Sequence, residues 1–346
     1  MHSKSVYKTF LVIFIPFCFL CYNLKMENLN LDDSIKTSKN ILIISHVNPD
    51  GDTLGSMLAL RDFIQLNYKK RPEMMVISKI PKMYEFLNGL KDAKHLTQYD
   101  NSMVYDLVFL VDVAALDRIF DAQIFFEKAK IKACIDHHKT NNYKADIRFV
   151  KDEASSTGEV LCEIAENYGW KFDEKIAEAL YTAILTDTGG FRFDNTSALT
   201  LKTASKLIAE GAKPQWIYKN CYEKKSKNFV MFQAYCLNKA EFAENDKIAY
   251  ITVYKKDIEK FASEDDLTEG LVEKLRSMES TEVAFLLKEI DNKMFKVSMR
   301  SKNIDVAEVT SVFNGGGHKF AAGCVLKYSA EDCVKKLLAE IRKQVF

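Results

Sequence analysis

The chain has 346 residues, 47% of them hydrophobic, which is enough for about two globular domains with substantial cores. Its 49 Lys and Arg residues balance 48 Asp and Glu residues. Proteins that bind long nucleic acids through the phosphate backbone usually carry a clear basic excess, so this balance argues against that class. We therefore expect a small or short substrate, bound in a local pocket.

The first 25 residues differ from the rest of the chain. Lys4 and Lys8 precede an apolar run from Phe10 to Tyr22, which is about half the length of a membrane span. Three interpretations are open: a signal peptide, a weak membrane anchor, or sequence ahead of a start at Met26. No small residues mark a cleavage site near Tyr22, so we favour Met26 and expect no stable membrane partner.

The eight cysteines are scattered and show no zinc-finger spacing. We interpret them as buried, reduced thiols of a cytoplasmic protein, because disulfide frameworks and zinc sites have regular spacings. Membrane anchoring through residues 10–22 is the minor alternative.

After Met26, short apolar runs alternate with helical patterns. Strands are predicted at Ile41–Ile44, Met74–Ile77, Leu107–Val111 and Lys132–Ile135. Helices are predicted at Leu54–Leu66, from a Ser156-x-x-Glu159 capping box to Tyr168, and at Lys175–Thr186. This alternation predicts an α/β domain with a doubly wound parallel sheet. Ligands bind beyond the carboxyl ends of the strands in such sheets.

The second half of the chain has a different pattern. Helical spacing extends from Thr196 to Ala243, and no strand pattern is present before Lys247. Further strands are predicted at Ile248–Tyr254, Val283–Glu289 and Phe295–Arg300. We therefore predict a catalytic domain at residues 26–205, a helical connector at 206–246 and a smaller α+β domain at 247–346.

Acidic residues and a histidine follow two of the predicted strands. The first strand leads into His46-Val47-Asn48-Pro49-Asp50-Gly51-Asp52, where Pro and Gly predict a turn. This turn would present His46, Asp50 and Asp52 together at the carboxyl edge of the sheet. Asp112 ends the strand Leu107–Val111, and a carboxylate at the end of a buried strand is costly unless it is paired or binds a metal.

Two further motifs extend this pattern. Asp136-His137-His138 follows the strand Lys132–Ile135, and adjacent side chains of an extended chain point in different directions. One histidine can therefore bind a metal while the other meets the substrate. Asp187 ends a predicted helix and is followed by Thr-Gly-Gly, whose glycines let the backbone come close to a ligand.

These motifs together indicate a site for two metal ions. Asp50, Asp52, Asp112 and Asp187 would repel one another if they met without cations, and two divalent cations would offset their charge. Oxygen and imidazole ligands without thiolate favour manganese, or magnesium, over structural zinc. Four of the six histidines fall in the motifs, whereas His95 has no acidic motif around it and is interpreted as structural.

The second domain carries a pattern suited to phosphate. Three glycines before a histidine form a backbone cradle that can approach a phosphate closely, and an arginine can bind an anion through two parallel hydrogen bonds. The predicted substrate-binding residues are Arg300, Ser301, Lys302, Gly315, Gly316, Gly317 and His318.

The combination of H-x-N-P-D-x-D, a strand-end Asp, D-H-H, D-T-G and G-G-G-H resembles the DHH phosphoesterases with a C-terminal DHHA1 domain. The resemblance extends from Ile41 to Val325 and is strongest to the nano-RNase and pAp-phosphatase branch. Thr53 stands where this family often has Ala, a small departure. The resemblance implies hydrolysis of short oligoribonucleotides to 5′-mononucleotides and of 3′-phosphoadenosine 5′-phosphate to AMP, by a homodimer.

The resemblance also implies a role for each residue of the first domain. One metal would be bound by His46, Asp50 and Asp112, and the other by Asp52, Asp112, His137 and Asp187. Asp112 would thus bridge the metals. His138 would face the scissile phosphate, and Asp136 would orient a histidine.

Other functions fit parts of the pattern. A cyclic-dinucleotide or linear-dinucleotide phosphodiesterase shares the chemistry, and a non-catalytic nucleotide-binding or RNA-binding module is the alternative from another class. A family II inorganic pyrophosphatase resembles the first domain but lacks G-G-G-H. A RecJ-like exonuclease has an acidic residue where His46 stands. The intact set of carboxylates favours an enzyme over a binding module, which has no use for them.

Overall fold

The computed structural model describes residues 30–261 and 266–345. The leader at residues 1–25, with its apolar run from Phe10 to Tyr22, lies outside these ranges. The chain divides into two compact units, of which the first ends at Ile217 and the second begins at Tyr218. None of the helices in the described ranges combines the length and the apolar character that a membrane span requires.

The first unit consists of a sheet and the helices around it. Its strands are β1 (Ile41–Ile44), β2 (Glu73–Val76), β3 (Lys94–His95), β4 (Leu107–Val111), β5 (Ile131–Asp136) and β6 (Ile147–Val150). Its helices are α1 (Leu31–Thr37), α2 (Gly51–Tyr68), α3 (Gln123–Lys128), α4 (Thr157–Asn167), α5 (Glu174–Asp187) and α6 (Ala198–Ala209), and α7 (Pro214–Tyr222) continues into the second unit. Short 3₁₀ turns lie at Lys82–Tyr84, Leu90–Asp92, Leu96–Gln98 and Leu116–Ala122.

The six strands form a parallel sheet in the order β3-β2-β1-β4-β5-β6. The predicted doubly wound α/β fold is confirmed. The strand order reverses between β1 and β4, and the crevice beyond the carboxyl ends of such a strand pair is the usual ligand site of open α/β sheets. Both strands are buried over their whole length, which explains their continuous apolar sequences.

Two strands of this sheet were missed by the sequence prediction. β3 has only two residues, and β6 alternates between buried and exposed side chains over four residues. His95 lies in β3, and its Nδ1 accepts a hydrogen bond from Thr97 N at 3.3 Å. This contact agrees with its interpretation as a structural residue.

Side chains at the helix starts explain why the helices begin where they do. The Asp50 carboxylate accepts a hydrogen bond from Thr53 N at 3.0 Å and caps α2. Ser156 caps α4 by accepting from Glu159 N at 3.1 Å, as predicted. The reciprocal half of the predicted capping box is wrong, because the Glu159 carboxylate accepts instead from Ser155 N, at 3.0 Å, and from Thr200 Oγ1, at 2.9 Å.

The second unit contains a mixed sheet with helices packed against it. Its strands are β7 (Glu241–Ala243), β8 (Ile248–Val253), β9 (Val283–Asp291), β10 (Met294–Ser301), β11 (Gly316–His318) and β12 (Ala321–Leu326). Its helices are α8 (Lys227–Leu237), α9 (Lys255–Glu259), α10 (Leu271–Arg276), α11 (Val306–Ser311) and α12 (Ala330–Val345). The strand order is β11-β12-β10-β9-β8-β7, and only β8 and β9 run parallel.

The prediction of helix up to Ala243 was wrong at its end. Residues Glu241–Ala243 form β7, which pairs antiparallel with β8 through Phe242 and Ala249. A three-residue edge strand is too short to produce a readable alternation, so only the pairing partner reveals it.

Helices α2 and α5 are in direct contact through small residues. A Cβ atom on Gly55 of α2 would overlap the backbone oxygen of Ala179 and lie 3.1 Å from the backbone nitrogen of Ala183, both in α5. The glycine therefore allows the two backbones to come close together. This contact sets the spacing between the helices that carry Asp52 and Asp187.

We expect Gly55→Ala to lower the free energy of unfolding by about 1–3 kcal/mol, because the added methyl group overlaps a backbone rather than a movable side chain. That loss exceeds the gain of roughly 1 kcal/mol that Ala has over Gly in a helix interior. Urea denaturation measures the difference. Gly316→Ala is the matched control, since no atom lies within 4 Å of its added carbon. Equal stability of the two variants would contradict the packing argument.

Candidate active site

Strand register brings the predicted metal ligands to one level. Ile44 of β1 pairs with Leu110 of β4, so His46 and Asp112 each lie two residues beyond a paired position. Val111 pairs with Ile135 of β5, and Asp112 N donates to Ile135 O at 3.0 Å. The ends of three adjacent strands therefore present their side chains at the point where the strand order reverses.

The first ligand set consists of His46, Asp50 and Asp112, whose ligand atoms lie within 4.8 Å of one another. His46 Nδ1 is 2.7 Å from Val47 O. A carbonyl can only accept, so this shorter contact places the proton on Nδ1, and the approach of the donor Arg118 Nη2 to the same nitrogen, at 3.1 Å, is not a hydrogen bond in this tautomer. Nε2 then presents its lone pair to the cluster. His46 Nε2 lies 3.5 Å from Asp112 Oδ2. This tautomer is the one that a metal-binding histidine requires.

The second set consists of Asp52, His137 and Asp187, again within 4.8 Å. His137 Nε2 lies 3.7 Å from Asp52 Oδ2 and 3.5 Å from Asp187 Oδ2. Its Nδ1 is 3.3 Å from Ala154 O, so the proton is on Nδ1 and Nε2 presents its lone pair to the carboxylate cluster.

Asp52 is held in place by the start of another helix. Its Oδ2 accepts from Thr157 N at 2.7 Å and its Oδ1 accepts from Gly158 N at 3.0 Å, at the first turn of α4. Ser56 Oγ also donates to Oδ1, at 3.1 Å. Unpaired backbone N–H groups at a helix start favour an ionised carboxylate, so α4 orients Asp52 toward the cluster.

Asp112 lies between the two sets, with one carboxylate oxygen directed at each. Oδ2 faces His46 Nε2, and Oδ1 lies 3.8 Å from His137 Nε2. Thr53 Oγ1 donates to Oδ2 at 2.6 Å, and Thr157 Oγ1 donates to Oδ1 at 3.1 Å. This geometry suits a carboxylate that is shared by two cations. The Asp112 backbone has a φ of 59°, a left-handed conformation that Asp and Asn tolerate better than most residues.

His138 has a different environment from His137. Its Nδ1 donates to the fully buried Asp136, at 2.7 Å from Oδ1, and Asn141 Nδ2 donates to the other oxygen of Asp136 at 2.6 Å. Burial opposes protonation of His138, yet the hydrogen bond to Asp136 and the charge of Asp112 raise its pKa to about 9. Asp136 therefore orients the His138 ring through Nδ1, and this ring lines the cavity that His46, Asp50 and Asp112 also line.

The carboxylates of the cluster fit a pair of divalent cations. Burial and the charges of Asp112, Asp187 and Asp50 raise the pKa of Asp52 well above its ordinary value. Partial burial likewise raises the pKa of Asp187 to about 7, with a further contribution from Asp112. In contrast, although burial disfavours its charge, interaction with His46 in its protonated form lowers the pKa of Asp112 to about 2. Cations are the natural replacement for the protons that crowding otherwise forces onto Asp52 and Asp187.

Sequence reasoning missed Arg118 as a member of this site. A cavity of about 180 Å³ is lined by His46, Asp50, Asp112, Ala114, Arg118, His138 and Asp187. Arg118 Nη2 lies 3.1 Å from His46 Nδ1 and 3.4 Å from Val47 O. Arg118 follows Asp112 by six residues and lies in the short 3₁₀ segment Leu116–Ala122, so no α-helical or strand periodicity connects the two in the sequence.

In the second unit, strand pairing places two predicted substrate residues on one face. Ala321 of β12 pairs with Arg300 of β10 on one side and with His318 of β11 on the other. Side chains of directly paired residues project to the same face of a sheet. Arg300 and His318 therefore lie on either side of Ala321. The neighbouring pair Gly316 and Gly323 lies on the same face and leaves the backbone there uncovered by side chains.

The other predicted substrate residues have partners within the second unit. Ser301 is buried, and its Oγ donates to Ile304 O. Lys302 Nζ donates to the backbone oxygens of Met278 at 2.7 Å and Glu279 at 3.0 Å. A Cβ on Gly315 would lie 2.5 Å from the Cys324 Cβ, so this glycine allows a close approach within the sheet. Arg300 also has partners, since its Nε donates to Glu273 Oε1 and its Nη1 donates to Met299 O, both at 3.0 Å, whereas His318 is exposed. Their shared face, and not a lack of partners, makes Arg300 and His318 the candidates for direct contact with a phosphate.

Comparison with known proteins agrees with this architecture. Residues 40–184 match the DHH family, N-terminal domain, and residues 245–345 match the DHHA1 domain. The fold and the family matches define a hydrolytic enzyme of the phosphoesterase class. The chain belongs to the DHH family and carries a DHHA1 domain, so the resemblance found in the sequence motifs is confirmed.

Two relatives match this chain over nearly their whole length. The bifunctional oligoribonuclease and PAP phosphatase NrnA of Bacillus subtilis is 30% identical over 89% of this chain and 95% of its own length. The NrnA protein of Thermus thermophilus, with the same description, is 25% identical over 88% of this chain and 90% of its own length. The crystal structure of an exopolyphosphatase-related protein from Bacteroides fragilis is 28% identical, with a TM-score of 0.85 over 90% of this chain and 94% of that chain.

The raised pKa values predict how the metal-free protein responds to pH. Asp187, with a pKa raised to about 7, contributes stability that is full below its ordinary value of 3.8 and is lost as the pH rises through 7. His138 contributes stability that is full below 6.5 and is lost toward 9. With a chelator present, the melting temperature should therefore fall between about pH 5 and about pH 8.

Manganese should raise the melting temperature more at pH 8 than at pH 5. At pH 8 the Asp187 carboxylate is ionised, so the cation binds without displacing a proton from it. Thermal unfolding followed by circular dichroism, with chelator and with Mn²⁺, measures both effects. Asp187→Asn is the control, and its metal-free melting temperature should change less with pH. A metal-free melting temperature that rises toward pH 8 would contradict the assignment.

Proposed function

We propose that this enzyme hydrolyses short oligoribonucleotides to 5′-mononucleotides and 3′-phosphoadenosine 5′-phosphate to AMP, with two divalent cations. The observation that carries the proposal is the meeting of two ligand sets around Asp112 at the switch point of the sheet. Relatives named as oligoribonuclease and PAP phosphatase, matched over most of their length, support this choice of substrates.

The donor atoms indicate which residues would hold the cations. His46, Asp50 and Asp112 form one position, and Asp52, Asp112, His137 and Asp187 form the other. Carboxylate and imidazole donors without thiolate favour manganese or magnesium. When bound, the two cations supply Lewis acidity and activate a water molecule for attack on phosphorus.

The protein's own groups position the phosphate and manage protons. His138, oriented by Asp136, directs Nε2 toward the substrate and in its protonated form donates to a phosphoryl or leaving oxygen. The guanidinium of Arg118 lines the same cavity and supplies donors only, which suits an anionic phosphate. Both groups add positive charge where the substrate adds negative charge.

In the second unit, the face formed by Arg300, Ala321 and His318 would hold a second phosphate or the nucleotide that carries it. Both proposed substrate types contain more than one phosphate group. The small residues between Arg300 and His318 leave room for a ligand against the sheet. The guanidinium of Arg300, which Glu273 holds through Nε, has further N–H donors for an anion.

The central test is a turnover panel with Mn²⁺ and with Mg²⁺ on 3′-phosphoadenosine 5′-phosphate, di-, tri- and pentaribonucleotides and cyclic dinucleotides. We expect metal-dependent release of phosphate and 5′-mononucleotides from the first substrates. Turnover of cyclic dinucleotides alone would assign the enzyme to another phosphodiesterase activity. No turnover of any substrate with either metal would support a binding module and overturn the proposal.

Asp112→Asn should abolish this turnover, with a loss of kcat of at least about a thousandfold, because neither cation position keeps its shared carboxylate. Asparagine tolerates the left-handed backbone at this position, so the fold should persist. Circular dichroism checks the fold and product chromatography measures the rate. Substantial activity in a folded Asp112→Asn variant would remove the bridging role from Asp112.

Arg300→Ala should raise KM about tenfold or more and leave Mn²⁺ binding unchanged, since a charged hydrogen bond to the substrate is lost outside the metal cluster. Arg342→Ala, in α12, is the matched control and should keep the normal KM, because α12 packs against Val297 and Met299 on the opposite face of the sheet from Arg300. Steady-state kinetics with a dinucleotide and a metal titration make the measurement. A normal KM for Arg300→Ala would exclude Arg300 from the substrate site.

A further inference from the structure

The hydroxyl of Thr53 lies among the atoms of the first ligand set. Its Oγ1 is 2.6 Å from His46 Nε2, 3.1 Å from Asp50 Oδ1 and 2.6 Å from Asp112 Oδ2. These neighbours belong to three different parts of the site: the end of β1, the turn before α2, and the end of β4. Thr53 itself is fully buried in the first turn of α2.

One hydroxyl cannot satisfy these three neighbours. When His46 is neutral, its proton is on Nδ1, so Nε2 is an acceptor, and ionised carboxylates are acceptors only. The Thr53 hydroxyl has a single proton and can donate to only one of the three. The remaining lone pairs face one another beside the buried His46 and Asp112, which is unfavourable unless a cation or a proton is present.

A cation is the species that this arrangement fits. Any cation bound by His46 Nε2, Asp50 and Asp112 together lies close to Thr53 Oγ1, because this oxygen is within 3.1 Å of one atom of each residue. The hydroxyl then turns its own lone pairs to the cation and its proton to a carboxylate. Uncharged oxygen donors are common partners of carboxylates around hard divalent cations.

We propose that the Thr53 hydroxyl is an additional oxygen ligand of the first cation position and sets the affinity of that position. The proposal rests on the proposed two-metal function. It distinguishes Thr53 from Thr157, whose hydroxyl contacts Asp112 but neither His46 nor Asp50.

The test is a Mn²⁺ titration of the full-length protein after removal of bound metal, with free Mn²⁺ measured by electron paramagnetic resonance. Thr53→Val removes the hydroxyl and keeps the shape, and Thr53→Ser keeps the hydroxyl. Thr182→Val is the matched control, because that buried hydroxyl donates to Glu178 O within its own helix, at 2.7 Å. Circular dichroism verifies the fold of each variant.

The wild type, Thr53→Ser and Thr182→Val should each bind two Mn²⁺ ions with similar affinities. In Thr53→Val one of the two should bind at least about tenfold more weakly, because that position loses one of its oxygen ligands. If Thr53→Val does not fold, the comparison of Thr53→Ala with Thr53→Ser replaces it.

Two other outcomes have separate meanings. If Thr53→Val binds both ions as tightly as the wild type, or more tightly, the hydroxyl is no ligand and the inference is overturned, while the two-metal function stands. Loss of affinity in Thr53→Ser as well would also overturn it, because the hydroxyl is retained there. If the wild type itself binds no Mn²⁺, the proposed function fails first.

Discussion

The architecture of the site depends on the mutual repulsion of buried carboxylates. Asp52 and Asp112 are almost fully removed from water and lie in one cluster with Asp50 and Asp187. Such a group is unstable with all its charges unless cations or protons enter it. Grouping these carboxylates therefore lowers the stability of the fold until positively charged partners bind, a cost that is common at functional sites.

The fold supplies the restraint that holds these groups against their repulsion. The strand register fixes His46 and Asp112 at the same level, and the first turn of α4 holds Asp52 through two backbone N–H groups. The glycine contact between α2 and α5 keeps Asp187 near Asp52. Sheet register, helix start and helix packing thus act on different ligands of one cluster.

Much of this arrangement was readable in the sequence because it follows strands with strong apolar signals. β1, β4 and β5 are buried runs, and each is followed directly by a polar motif, so their meeting at the sheet edge could be predicted. The two-residue β3 and the three-residue β7 could not be predicted, because edge strands this short show no readable alternation of apolar and polar residues.

Contacts between distant segments were also beyond sequence reasoning. Glu159 bonds to Ser155 and Thr200 rather than closing the expected capping box, and the choice depends on the position of α6. Arg118 lines the cavity from the short 3₁₀ segment Leu116–Ala122, which has no readable sequence period. Thr53 stands where the family often has Ala, and only the distances from its hydroxyl to His46, Asp50 and Asp112 place it among the ligand atoms.

The start of α2 is sterically coupled to the end of α5. A Cβ on Gly51 would lie 2.6 Å from Cγ2 of Thr186, the residue immediately before Asp187. The motif at Asp50–Asp52 and the motif at Asp187 are far apart in the chain, yet each limits the side-chain volume that the other can accept. Substitutions at Gly51 and Thr186 cannot have independent effects, and evolutionary change at one position is expected to require compensation at the other.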